Sequence, residues 1–195
     1  RLNRIAVFSD DLRDAIKGTV FDSRARGFAS GEPGLEESVK FGVVASCPHP
    51  QIDYSRVNDS KAPYAAGPWN TVSYASCHDN HTLWDKLSLS CPQASESEKA
   101  EMQKLALSMV LSSQGVAFLH AGSEFLRSKK GNENSYNAGD SINAIDWNLK
   151  TIHHDVFSYV QTLIRMRKTH PAFRLRTAED TSASRAMSKL PGSPR

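Results

Sequence analysis

The sequence predicts an α/β fold whose strands run parallel. Residues 71–120 carry the pattern strand, helix, strand, because two strand-like stretches flank a long amphipathic helix. The second stretch, "VAFLHAG" at 116–122, is a nearly continuous apolar run, which is typical of a strand buried on both faces. Because a crossover through a helix is right-handed in almost all proteins, the two strands should lie parallel in one sheet.

Two short helices are predicted before this unit. One is "DDLRDAIKG" at 10–18, which opens with acidic residues and closes with a lysine and a glycine. The other is "GLEESVKFGVVAS" at 34–46, whose apolar residues recur every four positions. Residues 47–70 contain four prolines and follow neither a helical nor a strand period. They predict a long irregular connection.

The later elements carry clear local signals. "NTVSYAS" at 70–76 alternates its side chains as a short strand does. Ser95 and Glu98 have the spacing of a capping box at the start of the long helix. Gly115 suits the left-handed turn that ends it. A last helix is predicted at about 155–168, from its apolar stripe and its basic end.

Composition argues against several functional classes. Lys and Arg number 24 against 21 Asp and Glu, so the net charge is only +3, and no basic patch predicts nucleic-acid binding. No apolar run has the length of a membrane span, so no membrane partner is expected. The three cysteines cannot all pair within one chain and form no CxxC motif, so free thiols are expected. The cellular compartment stays open.

The stretch "SCHDNHTLWDK" at 76–86 is the densest in chemically active side chains, and it follows a predicted strand. Parallel strand–helix units carry their chemistry at that end of the strand. A purely structural interpretation places His78 in the core and uses Asp79 and Asn80 to cap a turn. On spacing alone, this interpretation stays open.

Two functional interpretations compete with it. A zinc or iron site could use His78, Asp79, His81 and His120. No HExxH or paired-cysteine motif supports such a site, and neighbouring residues of a strand point to opposite sides. Carbohydrate binding explains more, because sugars need carboxylate, amide and imidazole partners for their hydroxyls and aromatic rings for their faces. The aromatic residues that lie among such polar groups are Trp84, Tyr136 and Trp147.

Four stretches together resemble one enzyme family. They are "FSDDLRDAIKG", "YASCHDNHTLWDKL", "SQGVAFLHAGSEFLRSKKGNENSYN" and "INAIDW", in this order. They resemble the type I pullulanases of the α-amylase superfamily, glycoside hydrolase family 13, over about residues 3–176. The resemblance implies a partial (β/α)8 TIM barrel, the C-terminal half with strands seven and eight, formed by residues 1–176. The remaining 177–195 have few large apolar side chains and are expected to be extended or disordered.

The resemblance also implies an activity and roles for individual residues. The family hydrolyses α-1,6-glucosidic links in pullulan and branched α-glucans with retention. Asp79 matches its transition-state-stabilising aspartate, and His78 matches a histidine that binds sugar hydroxyls. The other residues expected to bind the α-glucan polysaccharide or oligosaccharide are Asn80, Trp84, Arg127, Asn134 and Tyr136.

Two other carboxylates of the family have no counterpart among these 195 residues. Retaining hydrolysis needs a nucleophile and an acid/base about 5 Å apart. The chain alone is therefore expected to be inactive and to require the N-terminal half of the barrel. The alternative is a non-catalytic α-glucan-binding or remnant module. No cofactor or metal is expected here, and calcium binding by a full-length parent stays open.

Overall fold

The centre of the fold is a parallel sheet of three short strands, in a computed structural model that describes residues 5–183. Their order in the sheet follows their order in the chain, and both pairings are parallel. The predicted α/β class with parallel strands is confirmed. The first strand was not predicted, because two residues are too few to show a period. The strands are β1 Val7–Phe8, β2 Thr71–Ser73 and β3 Val116–Ala117.

Helices make up most of the regular structure in the described residues. Short 3-10 turns lie between them, at Phe28–Ser30, Tyr54–Arg56, Pro68–Asn70, Ser123–Phe125 and Pro171–Phe173. Within residues 5–183, every helix is too short or too polar to cross a membrane. The α-helices are α1 Asp10–Lys17, α2 Glu36–Val43, α3 Leu83–Ser90, α4 Glu96–Ser112, α5 Asp140–Asn143, α6 Leu149–Ile152, α7 His154–Thr169 and α8 Ala178–Ala183.

Local signals in the sequence set the N-terminal ends of α1 and α4. Ser9 accepts a hydrogen bond from the Leu12 amide, which caps α1. Ser95 and Glu98 form the predicted capping box of α4, with the Glu98 carboxylate accepting from the Ser95 amide at 2.7 Å. Gly115 has the predicted left-handed conformation, φ +82°, but it does not end α4, because the C-cap is Ser113 in an extended conformation.

Two apolar clusters hold the helices around the sheet. The larger one lies between α1, α3, α4 and α7, and its members include Leu12, Ile16, Leu83, Leu87, Leu107, Val110 and Val160. The smaller one joins α2 to the irregular segment that follows it, through Phe41, Val44, Ile52 and Val57. Burial of these side chains supplies most of the driving force for folding. Because one cluster touches four helices, it fixes the sheet relative to α3 and the loop before it.

One strand prediction is wrong, and the described part of the tail differs from its prediction. The 116–122 run is not a strand buried on both faces, since β3 has two residues and Val116 is 48% exposed. β3 lies at an edge of the three-stranded sheet, and only its Ala117 packs, partly buried, against the larger apolar cluster. Residues Ala178–Ala183 are helical rather than extended, because the Thr177 hydroxyl caps the Asp180 amide at 3.0 Å. Residues 184–195 lie outside the described residues.

Replacing Ser95 by alanine is expected to lower the free energy of unfolding by about 1 kcal/mol, because the first turn of α4 loses its cap. The measurement is urea denaturation followed by circular dichroism. Ser112→Ala is the matched control, because the Ser112 hydroxyl donates only to carbonyls of its own helix, Ser108 and Met109. Equal stability of the two variants would contradict the proposed cap.

Candidate functional site

An exposed turn follows β2 and carries the residues singled out by the sequence. Side chains of His78 and Asp79 are 83% and 70% exposed, and His78 Nε2 lies 3.4 Å from Asp79 Oδ2. Asn80 has a left-handed backbone, φ +62°, which asparagine tolerates better than most residues. The interpretation that packs His78 in the core is therefore wrong. Both side chains are free to meet a ligand from solvent.

Three segments of the chain meet around Asp79. They line a cavity of about 530 Å³ that is open to solvent. One of its residues, Phe21, is 93% exposed and was not predicted from the sequence. An exposed aromatic ring beside a carboxylate suits a sugar, which presents hydroxyls and an apolar face. The cavity is lined by Val20 and Phe21 after α1, Asp79 and Asn80 after β2, and Glu133 and Asn134 from residues 127–147, called the long loop below.

A buried carboxylate on α3 anchors that long loop. Asp85 is 5% exposed and accepts hydrogen bonds from the Ser128 hydroxyl at 2.5 Å and the Lys129 amide at 2.8 Å. Lys129 is 4% exposed and donates from Nζ to the Ser135 hydroxyl at 2.7 Å and the His78 carbonyl at 3.3 Å. Burial lowers the Lys129 pKa, and the neighbouring Arg127 lowers it further. Asp85 and Lys129 therefore connect the His78–Asp79 turn to the long loop, which forms the opposite wall of the cavity.

Further basic groups lie behind the turn. Lys17 is 1% exposed, and its burial lowers its pKa to about 8. Burial also lowers the pKa of His120 to about 4, with smaller contributions from Arg127 and Lys129. His120 is therefore a neutral imidazole at neutral pH. The sequence did not indicate these buried positions, because lysines are usually solvated.

Arg127 lies away from the cavity. It is 8% exposed and donates to the Ala121 carbonyl at 3.1 Å and to the Asn143 carbonyl. Burial lowers its pKa. The sequence predicted a direct contact with substrate, but this geometry makes Arg127 a residue that holds the loop backbone in place.

The aromatic residues are spread over different surfaces. Trp84 is half-buried, and the Lys99 ammonium lies 5.7 Å from the centre of its ring. Tyr136 is 83% exposed on the long loop. Trp147 is 65% exposed, and its ring centroid lies 5.8 Å from that of Phe125. Of the residues predicted to bind substrate, the structure brings Asp79, Asn80 and Asn134 to one cavity, and His78 lies beside it. The predicted aromatic residues, Trp84 and Tyr136, do not line this cavity.

Comparison with known proteins gives consistent matches. No protein-family model matches the chain. The pullulanase of Bacillus subtilis (strain 168) is 41% identical over 180 residues, which cover 92% of this chain and 24% of that protein. The solved structure of pullulanase type I from Bacillus subtilis complexed with maltose is 40% identical, with a TM-score of 0.85, over 92% of this chain and 24% of that one.

A second solved structure agrees with the first. Pullulanase from Paenibacillus barengoltzii, in complex with maltohexaose and alpha-cyclodextrin, is 46% identical with a TM-score of 0.85. The match covers 93% of this chain and 27% of that one. The chain therefore spans about a quarter of the length of the relatives that it matches.

Proposed function

The chain belongs to the pullulanases, glycosidases of glycoside hydrolase family 13, and from that premise we propose that it supplies the transition-state-stabilising carboxylate of an α-1,6-glucosidase. The observation that carries the proposal is the exposed Asp79 carboxylate beside His78, at the C-terminal end of the central strand. In (β/α)8 barrels, this end of the strands holds the active site.

The sheet supports the proposal that residues 1–176 form the C-terminal half of such a barrel. In this proposal, β2 and β3 are strands seven and eight. The three strands are parallel and follow chain order, as consecutive barrel strands do. Phe8, Tyr74 and Phe118 meet edge to face, with ring centroids 4.8 Å and 5.4 Å from Phe8. Phe8 is 49% exposed. In a closed barrel, a layer of three such aromatic rings would lie in the interior and be covered by the other strands.

The proposed role of Asp79 follows from its charge and its access. Cleavage of a glycosidic bond passes through a transition state with positive charge on the sugar. An ionised carboxylate held beside that charge stabilises it more than it stabilises the neutral substrate. The half-buried Asn80 and the exposed Asn134 line the same cavity as Asp79, and the exposed His78 lies beside Asp79, so these three residues are proposed to bind sugar hydroxyls. Hydrolysis by protein carboxylates and water needs no cofactor.

The proposed ligand is an α-glucan. The related proteins were solved with maltose and with maltohexaose, which are α-linked glucose oligomers. The exposed ring of Phe21, on the wall of the cavity, is suited to stack on a glucose face. Asp79 on one wall and Asn134 on the other place polar groups on both sides of a bound sugar.

The proposal includes a requirement for the rest of the barrel. Retention needs a nucleophile and an acid/base about 5 Å apart, and the family resemblance provides neither in this chain. The open edges of a short parallel sheet also leave backbone groups unpaired. We therefore expect no pullulan hydrolysis by the 195-residue chain alone.

A chimera tests the proposed function. Residues 5–183 replace the matching segment of the Bacillus subtilis pullulanase, and release of reducing sugar from pullulan is measured for the chimera and for the isolated chain. Activity is expected in the chimera only. Hydrolysis by the isolated chain would contradict the proposal. A folded chimera that binds maltooligosaccharides without hydrolysing pullulan would favour the non-catalytic glucan-binding module instead.

A further inference from the structure

Three consecutive side chains with metal-binding atoms converge on the turn after β2. The ligand atoms of Cys77, His78 and Asp79 all lie within 4.8 Å of one another. Cys77 is half-buried, and its Sγ lies 3.9 Å from the Asp79 carbonyl, so the thiol lies against the same turn. His78 and Asp79 are exposed, and the cluster is open to solvent.

The spacing is close to that of a tetrahedral zinc site. Zinc binds sulfur at about 2.3 Å and imidazole nitrogen or carboxylate oxygen at about 2.0–2.2 Å, so nitrogen and oxygen ligands of one ion lie about 3.3 Å apart. His78 Nε2 and Asp79 Oδ2 lie 3.4 Å apart. Only the distances to the Cys77 thiol have to shorten, which rotation of the exposed His78 and Asp79 side chains toward it can supply.

We propose that Cys77, His78 and Asp79 bind Zn²⁺ or a similar thiophilic divalent cation, with one coordination position left for water. The proposal goes beyond the proposed function and does not rest on it, because it concerns binding by the chain alone. It also has a functional consequence, since a cation on the Asp79 carboxylate would exclude substrate from it.

The ligand set differs from the metal site that the sequence suggested. His81 is 7% exposed, and its Nδ1 lies 4.0 Å from the Glu133 carboxylate. His120 lies after β3, where it is surrounded by basic groups. The thiol of Cys77 takes their place, and a thiolate with an imidazole and a carboxylate favours zinc over calcium or magnesium.

Charges around the turn set the expected strength of binding. A thiolate and a carboxylate together neutralise the two charges of the ion. The buried Lys17 and Lys129 lie close enough to Cys77 to interact with it electrostatically. Their positive charges disfavour the binding of a second cation at the turn. Glu133 lines the same cavity as Asp79 and partly offsets them. We therefore expect a single site that is weaker than a closed structural zinc site.

Cobalt(II) is the spectroscopic probe, added to the reduced and chelator-treated 195-residue chain. A thiolate–cobalt charge-transfer absorption is expected to saturate at one ion per chain and to disappear when zinc is added. Cys77→Ser is expected to abolish it. His78→Ala is expected to weaken zinc binding at least about tenfold, since loss of an outer-shell partner alone costs about that much.

Cys91→Ser is the matched control, because Cys91 is a buried thiol that lies beside Ser90 and outside the cluster. It is expected to retain the absorption. Loss of the absorption in Cys91→Ser, or its persistence in Cys77→Ser, would overturn the assignment. Alkylation of the unsubstituted chain avoids any folding defect of the variants. Zinc is expected to slow modification of Cys77 specifically, and an unchanged rate at Cys77 would also overturn the assignment.

Discussion

Asp79→Asn, introduced into the chimera that carries residues 5–183, is expected to lower the rate of pullulan hydrolysis by on the order of 10²- to 10³-fold. Asparagine has nearly the same shape as aspartate but no negative charge. Asp79 is 70% exposed, so the loss of its charge leaves no buried group unpaired. The expected defect is therefore one of transition-state stabilisation, with little loss of folding.

The kinetic pattern distinguishes this role from simple substrate binding. A residue that interacts mainly with the transition state lowers kcat and kcat/KM together, whereas loss of ground-state binding raises KM. Glu101→Gln is the control, because Glu101 is an exposed carboxylate on α4 that contacts only Lys104 of the same helix among the described interactions. An unchanged rate in Asp79→Asn would remove Asp79 from the catalytic set.

Features that depend on neighbouring residues were predictable from the sequence. The Ser95–Glu98 capping box forms as expected, since its hydrogen bonds join residues three positions apart. The left-handed conformation of Gly115 was also predicted, but not its place, since Ser113 ends α4 and Gly115 lies against the Pro68 and Thr71 carbonyls. The exposed turn at His78 and Asp79 follows from its place after β2 in a parallel strand–helix unit.

Features that depend on distant parts of the chain were not predictable. The apolar run that contains Val116 is what a buried strand needs, but its burial depends on layers that other segments supply. Arg127 and Lys129 belong to a short basic cluster that would usually be solvated. Both side chains are buried and donate to distant backbone carbonyls: Lys129 Nζ to that of His78, 51 residues earlier, and Arg127 to that of Asn143, 16 residues later. No local pattern reports such a pairing.

The anchoring role of Asp85 leads to the second large effect. Asp85→Ala is expected to lower the free energy of unfolding by about 1–3 kcal/mol, because the buried Lys129 amide loses its acceptor. The Ser128 hydroxyl loses the same acceptor, but Ser128 is exposed and its hydroxyl can bond to water instead. Lys129 also donates to the His78 carbonyl, so release of the loop is expected to disturb the turn that carries Asp79. Stability and pullulan hydrolysis should therefore fall together in the chimera.

The matched control is Asp140→Ala, because Asp140 is an exposed carboxylate on α5, in the same long loop. Thermal melting and pullulan hydrolysis are measured for both variants. Asp85→Asn should be intermediate, since its amide keeps one acceptor oxygen but turns a donor toward either the Ser128 hydroxyl or the Lys129 amide. If Asp85→Ala melted at the same temperature as Asp140→Ala, the loop would be held by other contacts. The cavity wall formed by Asn134 would then not depend on α3.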